Sequence, residues 1–93
     1  MDNKEAVKIL CRAREEDVDL MLELDTGSKI QGKVCKITPY DKWEDVDLVT
    51  TDFPTCVVEL NEGYRSGMVD QYRETGITRF ISVDHIACIV YNW

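Results

Sequence analysis

Val18-Asp19-Leu20-Met21-Leu22-Glu23-Leu24, followed by Asp25-Thr26-Gly27-Ser28 and then Lys29-Ile30-Gln31-Gly32-Lys33-Val34, decides how this 93-residue chain is read. Val18, Leu20, Leu22 and Leu24 share one face of an extended chain, and Asp19, Met21, Glu23 and Asp25 share the other. A period of two is the pattern of a half-buried strand, not of a helix. Asp25-Thr26-Gly27-Ser28 is a hairpin turn in which Gly27 supplies positive φ. The second strand runs from about Lys29 to Ile37. Its interior Gly32 predicts a sharp bend or bulge. Ile37 has the opposite parity from Val34, which also calls for a bulge.

Working outward, residues 2–14 predict a helix. Asp2 is placed to cap it, with Glu5 three residues on. Ala6, Val7, Leu10, Cys11 and Ala13 form the apolar stripe, and Lys4, Lys8 and Arg12 form a basic row at i, i+4 and i+8. Glu15-Glu16-Asp17 opposes the negative helix end and is expected to stop it. After the hairpin, Thr38 to Asp45 reads as a loop, Val46 to Thr50 as a third strand and Thr55 to Leu60 as a fourth. Asn61-Glu62-Gly63 reads as a turn, and 61–77 as a whole as a loop or short-helix insertion. Thr78 to Val83 is a strand, Asp84-His85 a tight corner, and Ile86 to Tyr91 the last strand. Barrel strands thus fall within 18–60 and 78–91 of one domain covering 1–93.

Composition narrows the function classes. A chain this short buries only about 60–65% of its unfolded surface, which disfavours a deep cleft. No apolar run approaches the ~18 residues of a membrane span, and the N-terminus lacks a signal peptide's apolar core. The expected location is the cytoplasm, with no membrane partner. Cys11, Cys35, Cys56 and Cys88 are scattered without a C-x-x-C pair, so reduced thiols are expected and no metal site. The net charge is −7, although residues 2–14 are themselves net basic. An acidic body repels phosphate backbones, which disfavours RNA contact except through Lys4, Lys8 and Arg12. No nucleotide, hydrolase or metalloprotease motif occurs. Asp41, Glu44, Asp45 and Asp47 lack the glycine of a calcium loop. His85 is the single histidine. Its expected role is backbone or turn bonding, and a Cys88–His85 pair is poorly placed on one strand. No cofactor and no catalytic residue is expected.

The order of helix, three curved strands, excursion and two strands joined at a tight corner resembles the Sm-like family of small SH3-like barrels. Val18 to Leu24, Gly27, Ile30 to Val34 and Asp41-Lys42-Trp43-Glu44-Asp45-Val46-Asp47-Leu48 follow the outline of its first motif. Phe80 to Ile89 follows the second. The resemblance implies a mostly β fold: a barrel of five to six antiparallel strands with an N-terminal α-helix. It also implies a homo-oligomer built through the last strands. Asp41 matches the family's nucleotide-facing acid. Asp45 stands where the family has an asparagine, and Asp84-His85 replaces an arginine-bearing turn, so the resemblance carries fold further than RNA binding. The first reading of function is therefore a non-catalytic module that binds a protein partner or itself. Tyr40, Asp41, Trp43, Asp45, Asp84 and His85 are its candidate contacts. An Sm-like RNA binder is the alternative, and an enzyme using His85 or a cysteine comes third.

Overall fold

A computed structural model describes residues 2–40, 42–47, 55–65 and 71–91. Helix α1 spans Asn3–Glu16, ending two residues later than its sequence pattern predicts. Asp2 caps it: an Oδ1 of the side chain accepts from the Lys4 backbone N–H at 3.0 Å, which satisfies one of the orphan donors of the first turn. The acidic C-terminal residues do not stop the helix at Arg14. Arg12 Nε donates to Glu16 Oε1 one turn later at 3.3 Å, and such an i,i+4 pair offsets part of the unfavourable dipole term. The stop comes at Asp17, which turns left-handed at φ 53. There the Asp17 and Val18 N–H groups bond back to the Arg14 and Ala13 carbonyls at 3.2 and 3.1 Å.

Strand β1 (Asp19–Leu24) and β2 (Lys29–Thr38) form the expected hairpin, with Gly27 at φ 87 in its turn. The bulge in β2 lies at Cys35, where pairing to β3 (Val57–Arg65) shifts register between Val34 and Lys36. That extra residue is why Val34 and Ile37, of opposite parity, both face the core. Gly32 has a different job from the bend expected of it. A methyl there would overlap the Asn61 carbonyl oxygen of β3, so the glycine lets two backbones approach.

Two expectations are corrected. Val46 is not in a strand: Trp43–Asp47 is a short helix, α2, whose Asp45 N–H bonds to the Lys42 carbonyl at 3.1 Å. The Val46/Leu48 alternation is too short to separate the two periodicities, and Val46 is instead fully buried in the core, α2 packing on α1. The rest of that expected strand, 48–50, lies outside the described residues. The expected loop or short-helix insertion at 61–77 is strand at 61–65 and 72–77, and its residues 66–70 lie outside the described residues. Asn61, Glu62 and Gly63 continue β3 to Arg65, and β4 (Tyr72–Ser82) begins well before Thr78. Gly63 looked like a turn residue but is a notch in a strand, because a methyl there would overlap the Tyr72 ring.

A 3-10 turn, Val83–His85, occupies the expected corner and leads into β5 (Ile86–Val90). The five antiparallel strands make one sheet in the order β4-β3-β2-β1-β5. Among the described residues it is open, with β4 and β5 as its edges. The core lies between the sheet and α1. Leu10, Leu22, Ile37, Val58 and Leu60 are wholly enclosed, and among the described residues no polar side chain is buried with them. Cys11 and Cys56 pack into this core as small apolar residues, whereas Cys35 and Cys88 are exposed.

Candidate interaction surfaces

Four of the predicted contact residues fall on two elements that both pack against α1: Trp43 and Asp45 on α2, Asp84 and His85 on the 3-10 turn. Tyr40 follows the cis Thr38–Pro39 bond and is half-buried against the core. Trp43 opens α2, Asp45 is exposed within it, and Asp41 lies outside the described residues. Asp84 and His85 sit in the 3-10 turn, where both are bound into the fold. Asp84 accepts from the Asn3 side-chain amide through one oxygen and from Thr55 Oγ1 at 3.1 Å through the other. It thereby joins the start of α1, the approach to β3 and the corner before β5. His85 Nδ1 lies 2.9 Å from Asp25 Oδ2, and its carbonyl accepts from the Asp25 N–H at 2.8 Å. The Asp25 carboxylate, by hydrogen bond and then by charge, holds the imidazole pKa above its ordinary value. These two residues are clamps between elements, and the His85 ring meets a carboxylate where a backbone partner was expected.

On α1, Lys4 and Lys8 are half-buried and Arg12 is exposed. The ion pair of Arg12 with Glu16 tempers the basic row.

The sequence pattern misses a polar cluster on the other face of the sheet. Asp19 of β1 receives a forked bond from Arg65 at the end of β3, with Nη2 to Oδ1 at 2.6 Å and Nε to the two oxygens at 3.1 and 3.2 Å. Gln31 Nε2 donates to the same carboxylate at 3.1 Å. The Arg65 bond, stronger than the opposing effect of burial, holds the Asp19 carboxyl below the usual carboxylate range. The Tyr72 ring fills the Gly63 notch. Lys33 Nζ lies 5.0 Å from its centroid, and its hydroxyl donates to the Asn61 carbonyl at 3.2 Å. Burial is the largest cause pushing that phenol up to about 12. An open groove of about 640 Å³ runs beside the cluster, lined by Asp19, Met21, Gln31, Arg65, Val90 and Tyr91 among others. Asp19, Gln31 and Lys33 share a face by strand register and were legible as a polar row. Arg65 and Tyr72 lay in the stretch taken for an insertion.

The sheet edges are the second feature. Ile77 and Phe80 of β4 are exposed, Phe80 by 69%, and Val90 and Tyr91 are exposed at the β5 end. β5 carries no charged side chain from Ile86 to Val90. Among the described residues, no helix is long and apolar enough to cross a membrane. No family model, no curated protein and no solved structure matches this chain.

Proposed function

We propose that the chain is a non-catalytic interaction module of the SH3-like or Sm-like type that assembles with copies of itself through the two open edges of its sheet. The observation that carries this reading is the strand order, which leaves β4 at one edge and β5 at the other. An unpaired edge offers a row of N–H and C=O groups to another strand, and charged residues or proline usually blunt it. β5 has neither, and β4, though it carries Arg73, Glu74 and Arg79, also exposes Ile77 and Phe80. The two edges differ in sequence, so the contact is head-to-tail and closes into a ring when the rotation per copy permits. The placement of β5 beside β1, with the helix first, agrees with the barrel plan. The non-catalytic part of the reading is supported by His85, the histidine on which the enzyme reading leans, being engaged in joining elements. The setting is cytoplasmic, where exposed Cys35 and Cys88 stay reduced.

Light scattering across a concentration series tests the proposal. A mass that is a multiple of the chain mass is expected, and a strict monomer at every concentration overturns it. Uridine-rich RNA added to the same series separates the RNA-binding alternative. That reading requires a complex whose affinity falls steeply with salt.

A further inference from the structure

Three breaks in regularity coincide at one level of the β3–β4 hairpin. The β2–β3 ladder ends at the Gly32–Glu62 pair. The β3–β4 ladder steps from Asn61–Thr78 to Gly63–Glu74, so Thr75, Gly76 and Ile77 together face the single residue Glu62. Gly76 takes φ 82, a left-handed conformation that costs glycine little. Beyond this level, Gly63–Arg65 and Tyr72–Glu74 form a two-stranded ribbon of three residue pairs. A lone ribbon of that size is marginal in water, so its position depends on what fastens it. Its fasteners among the described residues include three polar contacts: the Arg65–Asp19 fork, the Lys33–Tyr72 contact and the Tyr72–Asn61 bond.

We infer that the outer ribbon of the β3–β4 hairpin is a flap, hinged at Glu62 and Gly76 and latched to β1 by the Arg65–Asp19 ion pair. The latch places Arg65 in the wall of the groove that Val90 and Tyr91 also line. Releasing it removes that wall while the helix-backed core stays paired. The flap is a separate matter from edge pairing, since its latch lies on the face of the sheet.

Amide hydrogen exchange tests this on the full chain, with Asp19→Asn and Arg65→Met made singly so that the latch is cut from either side. Both variants are expected to speed exchange at 63–65 and 72–75 by tenfold or more, with β1 and the Val34–Thr38 part of β2 unchanged within twofold. In the unaltered protein, raising salt from low to molar concentration is expected to give a smaller, severalfold increase confined to the same residues, because salt screens the pair. Ribbon and core accelerating together would make the pair part of the global fold and overturn the flap. So would a ribbon indifferent to both variants, or one indifferent to salt.

Discussion

The helix-backed half of the sheet and the outer half of the β3–β4 hairpin are built from the same two strands by opposite means. From Val57 to Leu60, alternate β3 residues Val58 and Leu60 are fully enclosed with Leu10, Leu22 and Ile37. From Gly63 outward, the contacts are an ion pair, a cation over an aromatic ring and a tyrosine hydroxyl. Apolar burial is non-directional and tolerates small shifts, whereas a forked Arg–carboxylate pair fixes one geometry and responds to charge and salt. The comparison teaches that one hairpin can belong to the core at its root and to the surface at its tip. Gly32 and Gly63 sit on either side of the transition.

The comparison breaks first if the core half is not the stronger. Leu60→Ala should cost about 2–5 kcal/mol in urea unfolding, as for a large side chain removed from a tight interior. Next, Gly32→Ala should cost about 1–3 kcal/mol, because its new methyl meets a backbone carbonyl that is held in the ladder. Gly63→Ala should cost less, about 1 kcal/mol. Its methyl meets chiefly the Tyr72 ring, a side chain that can move off its preferred rotamer, although the Arg73 carbonyl is also close. Tyr72→Ala in the same chain should recover most of that loss. Equal costs at Gly32 and Gly63 would erase the distinction between the two halves. Phe80→Lys should change stability by no more than about 0.5 kcal/mol, as expected of an exposed site, yet lower the assembled mass.

The smallest effect concerns pH. The imidazole of His85 binds its proton more tightly in the folded chain, through Asp25. Its contribution is therefore fully present below the ordinary value of 6.5 and is lost as pH rises through the folded value. His85→Gln should flatten the urea midpoint between pH 5.5 and 8.5. Asp19 has the opposite sign: its contribution holds at neutral pH and fades only in acid, as pH falls through its lowered value.

The first hairpin was legible because its alternation runs long enough to fix both period and face, and the Val34/Ile37 parity change gave away the bulge. The cap at Asp2 and the corner at Asp84-His85 were legible from local chemistry. The outer hairpin was not. Gly63 reads as a turn residue and Gly76 falls within the expected insertion, yet one accommodates a ring and the other a bulge, and both needs arise from a neighbouring strand. The expected strand Val46 to Thr50 is too short for its pattern to separate a strand from the helix that holds Val46. The Asp19–Arg65 pair spans 46 positions, and no local signal joins its members.

The central claim is that β4 and β5 of different copies pair, and concentration-dependent amide exchange along those two strands tests it most directly. Protection at the outward N–H groups of Ile86–Val90 and of the Ile77–Ser82 stretch should rise together as the protein is concentrated, while the Leu20–Leu24 amides stay constant. Protection at both edges that is the same from dilute to concentrated solution would contradict the account.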